Sequence, residues 1–158
     1  MDNIKEIVAK EILKIKDPII LNGLGQILIK PFKHLRTWDY STTNEKFSCW
    51  SIALDSGTDT SLIYCDKGFG PKTPWGLVST KNLYFGMDSA WFNNLEECYL
   101  DSFAGGELPI WGVERHNEDN TKEIIVSDLI ADKAFEIIES LRKKQVAEKY
   151  YIVHRKQN

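Results

Sequence analysis

The sequence predicts an α+β fold: a mainly antiparallel sheet with an N-terminal helix, a central helix and a C-terminal helix. Three observations lead there. Strand-like runs come in pairs across short polar turns, as 47–54 and 61–66 do across Asp55-Ser56-Gly57-Thr58-Asp59. Apolar residues at helical spacing recur near the start, after the centre and near the end of the chain. Strands and helices therefore do not alternate in the way a doubly wound parallel sheet requires.

The elements follow in order. Ile4, Ile7, Val8, Ile12 and Ile15 sit at helical spacing between Lys and Glu, so 3–15 is expected as an amphipathic helix ended by Asp17-Pro18. Residues 19–21 and 26–32 read as short strands around the turn 22–25, and 35–40 as a further strand before the polar turn 41–45. The run 47–54 reads as a central strand, with 61–66 returning beside it. Leu77-Val78 and 83–86 are short extended pieces. Asp88 or Ser89 is expected to cap a helix reaching about Phe103, with Trp91, Leu95, Cys98, Tyr99 and Phe103 on its apolar face. Residues 108–114 and 122–126 form a hairpin across the polar turn 116–120. Ser127 or Asp128 starts a last helix through Lys144, with Leu129, Ala134, Ile137, Ile138 and Leu141 inward, and 150–153 closes as a strand.

The chain has 158 residues, a length that fits one domain, so 1–158 is read as a single globular domain. Hydrophobic residues make up 42% and charged residues 27%, ordinary globular values that allow a sizeable core without disulfides or a metal. Net charge is −3, against the basic balance of a nucleic-acid binder, so no nucleic-acid partner is expected. No apolar run reaches the ~20 residues of a membrane span, and the N-terminus lacks a signal-peptide pattern. The expected location is the cytoplasm, with Cys49, Cys65 and Cys98 as reduced, buried thiols.

Catalytic and cofactor patterns are missing. Gly23-Leu24-Gly25 and Gly68-Phe69-Gly70 lack the third glycine of a dinucleotide fingerprint, and no GxxxxGK[ST] is present. His34, His116 and His154 have no metal-ligand spacing, and Asp55 to Asp59 lacks the spacing and terminal Glu of a calcium loop. There is no GxSxG, and no Cys has a His close by in sequence. No catalytic residue, cofactor or metal site is assigned.

The segment 66–92 is the most informative. Glycine and proline specify a shaped loop over 68–76, and aromatics on such a loop anchor a partner or plug a core. Trp75, between Pro74 and Gly76, and Phe69 are the candidate apolar anchors. Trp38 and Trp111 are expected as strand residues on the core face. Glu96, Glu97 and Asp101 lie on the expected central helix, where Glu97 and Asp101 share a face at four-residue spacing. Asp66 and Asp88 flank the loop. Together these five acids form a candidate patch for a basic surface, where charge complementarity speeds association and fixes register.

The runs GFGPxxPWGLV, YFGMDSxWFxxLEE and ELPIWxVxR, from Gly68 to Arg115, resemble a pattern of small bacterial proteins. With the size, acidity and missing catalytic motifs, the chain is similar in type to immunity proteins that neutralise polymorphic or contact-dependent toxins. The resemblance implies a non-enzymatic protein that covers the active site of a cognate basic toxin domain by stoichiometric binding. It carries over no functional residues. The alternative is a small-ligand module or enzyme with its pocket near 66–92, because that segment mixes apolar walls with a few polar groups. A third reading makes the aromatic loop a homodimer contact.

Overall fold

A computed structural model describes residues 3–39, 45–67, 72–85, 89–143 and 149–154. The fold is α+β, and its contacts divide the chain into two compact units, Met1–Gly105 and Gly106–Asn158.

The first unit opens with two helices, α1 (Ile4–Ile12) and α2 (Pro18–Ile27). Each starts on a side-chain cap: Asn3 accepts from the Lys5 N–H and Asp17 from the Ile19 N–H, at 3.2 and 2.8 Å. The second helix corrects the expected strand at 19–21 and the turn at 22–25, whereas the expected strand at 26–32 is the first part of the next strand, starting at Leu28. Asp17-Pro18 does not merely stop the first helix; it places a capping carboxylate and a proline at the first turn of the next. Ile20 and Leu24, four apart, are both buried, and that burial outweighs the two glycines inside the helix.

Strands β1 (Leu28–Trp38), β2 (Lys46–Asp55), β3 (Thr60–Tyr64), β4 (Trp75–Ser79), β5 (Tyr84–Phe85) and β6 (Ala90–Phe92) form one sheet in the order β5-β1-β2-β3-β4-β6. All its pairings are antiparallel except the short β1–β5 contact at Thr37 and Trp38. The β2–β3 hairpin forms as the sequence predicts, with Asp59 in the left-handed region (φ 55°) at its turn. The expected strand at 35–40 is the second half of β1. Beyond β5, the outer edge of β1 carries Lys30, Pro31 and Lys33, residue types that discourage pairing with another chain. On one face of the sheet Cys49, Ile63, Cys65 and Val78 form a buried cluster, with Phe47 and Trp91 packed against it.

Past the sheet comes α3 (Leu95–Leu100), followed by a short helical turn, α4 (Phe103–Gly106). The central helix is therefore shorter than expected. Trp91 belongs to β6, where it pairs with Gly76, and a Cβ on Gly76 would stand 3.0 Å from the Trp91 ring. The helix begins only when Asn94 accepts from the Glu97 N–H at 2.8 Å. Leu95, Cys98 and Tyr99 are buried as predicted. Phe103 is not, because the break at Asp101-Ser102 removes it from their helical phase.

The second unit is a three-stranded antiparallel sheet, β8-β7-β9, of β7 (Trp111–His116), β8 (Lys122–Leu129) and β9 (Lys149–His154), packed on α5 (Ala131–Lys143). Val113, Ala134 and Ile138 are its buried centre, with Trp111, Ile137 and Leu141 around them. The hairpin, the closing strand and most of the helix follow the sequence expectation. Leu129 extends β8 instead of starting α5, after Asp128 takes φ 59°. Among the described residues no helix is long and apolar enough to cross a membrane.

Candidate functional site

Trp75 does not stand on a loop. It opens β4, pairs with Tyr64 and Phe92 in the ladders, and meets the Tyr64 ring edge-on at 5.0 Å. At 2% exposure it is a core residue and offers no surface to a partner, which corrects its expected role as an anchor. Period-two pairing explains the difference: Cys65 N–H donates to the Pro74 carbonyl at 2.8 Å, so the sheet already begins at the proline. Trp38, expected on the core face, is 37% exposed at the end of β1, whereas Trp111 packs on its core as predicted. Phe69 and Asp88 lie outside the described residues.

The remaining acids separate. Asp66 is exposed just after β3. Glu96 and Glu97 occupy the first turn of α3, where a negative charge favours the helix dipole. Asp101 closes the same helix at its C-terminal end, where the dipole opposes a negative charge.

Asp101 also lines a cleft of about 420 Å³ with Asp59 and Phe103, over a floor that includes Leu77, Val78 and Ala90. Two hydrogen bonds build this wall. Buried Asp55 accepts from the Gly57 N–H at 3.2 Å with one oxygen and from the Ala104 N–H at 3.0 Å with the other. One carboxylate thus ties the β2–β3 turn to the α3–α4 turn. Gly105 completes the junction: a Cβ there would fall 2.2 Å from the Tyr99 carbonyl oxygen, so no larger residue fits. Asp59 is paired with Lys81. Asp101 has no cation partner among the described residues, and partial loss of water around its carboxyl raises its pKa. Phe103 beside it is 55% exposed. Of the five sequence-predicted partner residues that are described, only Asp101 lines this cleft. Phe103 and Asp59 escape notice in the sequence because helical periodicity puts the first in a core and the turn pattern gives the second a structural role.

A second polar cluster lies on β1 and β2. His34 Nε2 is 3.0 Å from Ser51 Oγ, which also receives a hydrogen bond from Ser61 Oγ at 3.0 Å. Burial first, and then the Arg36 charge, hold the His34 pKa below its usual range. No carboxylate among the described residues bonds the His34 ring, so the pair does not form a Ser-His-acid triad. The signal legible in the sequence is His34-x-Arg36: alternate strand residues share a face.

In the second unit, a cleft of about 540 Å³ includes Glu114, Lys122, Asp128 and His154. Glu114 is already engaged by His116 and Lys122, at 2.5 and 3.4 Å, and the His116 contact leads in holding its pKa below the ordinary carboxylate value. Within the cleft, Glu114 and Lys122 thus satisfy each other.

The three cysteines are buried free thiols. The neighbouring Cys65 thiol, then burial, push the Cys49 pKa far up, and burial does the same at Cys98, so neither is a ready nucleophile. Among the described residues no group of three or more His, Cys, Asp or Glu is placed to hold a metal ion.

The chain matches no protein-family model, no curated protein and no solved structure.

Proposed function

We propose that this protein is a non-enzymatic binding module that holds a basic protein partner at the cleft of Asp59, Asp101 and Phe103. One observation carries the reading: a carboxylate with part of its water removed and no cation beside it stands next to an exposed aromatic ring. Such a carboxylate gains when a Lys or Arg side chain arrives, because the cost of its desolvation has already been met within the fold. The Phe103 ring supplies apolar area for the alkyl stem of that side chain and a face for its charge. Asp66, Glu96 and Glu97 act at longer range, speeding encounter with a basic surface. The similarity in type to immunity proteins makes the partner a toxin domain, neutralised by stoichiometric cover.

The test is capture from a lysate of the source organism on three baits in parallel: wild type, Phe103→Ala and Asp101→Lys. A basic protein held by wild type and lost from both variants supports the reading. A partner held equally by all three removes the cleft from the interface. Loss of a hot-spot aromatic commonly costs more than ~2 kcal/mol of binding.

The same cleft supports a second reading, a small-ligand module, because Leu77, Val78 and Ala90 of the 66–92 segment form its floor. A metabolite that raises Tm for wild type and not for Phe103→Ala would favour that reading.

A further inference from the structure

A cavity of about 110 Å³ lies against β1 and β2, with Phe32, Leu54 and Leu83 on its apolar side and His34, Arg36 and Ser51 on its polar side. That volume corresponds to roughly three or four water molecules. Arg36 is only 2% exposed. Its guanidinium donates to the Asn82 carbonyl at 2.6 Å, the Ser79 carbonyl at 2.8 Å and, at the limit, the Tyr84 carbonyl at 3.5 Å. Its Nε–H is buried and has no acceptor among the described residues. No carboxylate among the described residues pairs with it. Carbonyl oxygens satisfy donors but leave the positive charge unbalanced, and an unbalanced buried charge is costly. The strand therefore holds a cation with two of its five N–H donors, Nε–H and one on Nη2, left without an acceptor among the described residues beside a small, half-apolar cavity.

We propose that this cavity binds the carboxylate group of a short-chain monocarboxylic acid. Arg36, a lining residue, supplies the balancing charge and has N–H donors without an acceptor among the described residues. Ser51 supplies a second donor. Its oxygen has two lone pairs and one proton: Ser61, whose single proton reaches either Ser51 Oγ at 3.0 Å or the Ala53 carbonyl at 3.2 Å, donates to one lone pair when turned to Ser51, and His34, in the tautomer protonated at Nε2, donates to the other. The Ser51 proton is then free to turn to the ligand. Phe32, Leu54 and Leu83 take the short carbon chain. A phosphate suits the site less well. It brings a charge of about −1.5 to −2 near neutral pH against a single cation, and needs more donors than are present. The proposal is independent of the partner cleft, with which the cavity shares no lining residue.

The experiment is a titration of the full chain with sodium propionate, against sodium chloride at equal ionic strength, following Tm and the His34 ring resonances. Expected is a saturable rise in Tm and a saturable His34 shift that chloride does not produce. The midpoint should lie in the millimolar range, since a ligand of so few atoms binds no tighter than about 1 μM. Because Arg36 also ties down the 79–84 segment, its replacement perturbs the fold together with the site, so the decisive variant is Leu83→Trp. Leu83 is 56% exposed, and a larger ring there fills the cavity mouth without disturbing the core. Propionate binding should weaken at least tenfold in Leu83→Trp. No saturable effect on wild type, or equal binding by the variant, overturns the site. An equal response to sodium phosphate overturns the carboxylate assignment.

Discussion

His34 Nε2 reaches Ser51 Oγ at 3.0 Å diagonally across the β1–β2 pair, because the ladder sets His34 opposite Cys49 and Phe32 opposite Ser51. The contact places an imidazole at the polar side of a small cavity and beside a buried guanidinium. Both conditions work against a proton on the ring, which gives the first prediction its sign.

Since the His34 pKa in the folded chain lies below the ordinary histidine value of 6.5, the unfolded chain binds more protons between the two values. The contribution of neutral His34 to stability is complete above 6.5 and declines as pH falls from there to the lower folded value. In His34→Gln this decline should disappear. Urea midpoints measured across that range for both proteins check it: parallel curves would show that His34 titrates as it does in the unfolded chain.

Trp75→Ala should cost about 3–5 kcal/mol of stability, as for other buried aromatics cut back to alanine. The indole meets Tyr64 and is almost fully buried, so its removal leaves a cavity in the sheet. Chemical denaturation measures the loss. A change under about 1 kcal/mol would place Trp75 on the surface after all.

Gly105→Ala should destabilise by about 1–3 kcal/mol or more, because the new methyl meets the Tyr99 carbonyl and the Leu100 Cα, at 2.2 and 2.7 Å, with backbone and no flexible side chain to yield. Gly106→Ala is the control, with only the Ala131 Cβ at 3.5 Å in its way. Equal effects of the two substitutions on Tm would contradict this account.

Asp101→Asn should stabilise slightly at neutral pH. Its folded pKa is raised, so the folded chain binds the extra proton between the ordinary aspartate value of 3.8 and the raised one, and ionisation above that window counts against the fold. The gain is held below about 0.5 kcal/mol by water, since the residue is exposed. It should vanish below 3.8, where the carboxyl is protonated in both states. A variant less stable than wild type at neutral pH would mean that the charge is already satisfied in the fold.

The central hairpin was legible because Asp55 to Asp59 supplies turn residues between two apolar runs, and the second unit because α5 repeats its apolar residues cleanly at Ala134, Ile138 and Leu141. In helix α2 the local sequence pattern points away from a helix. Asn22, Gly23 and Gly25 resemble a turn, while the stronger signal, Asp17 as cap with Pro18 after it, was spent on ending α1. Trp75 and Trp91 were misplaced for the opposite reason: nothing near them in sequence announces that Gly76 will face Trp91 across two strands.

By itself, the sequence determined the α+β class, the β2–β3 and β7–β8 hairpins, the buried thiols and the acidic balance, all of which follow from spacing and composition along the chain. Only the tertiary structure decided which charged groups lack a counter-charge. Arg36 and Asp101 look like any other charges in the sequence. Folding buries one guanidinium among carbonyls and strips part of the water from one carboxylate, through segments that approach from more than forty residues away. Burial and pairing depend on that three-dimensional company, which a one-dimensional pattern does not carry.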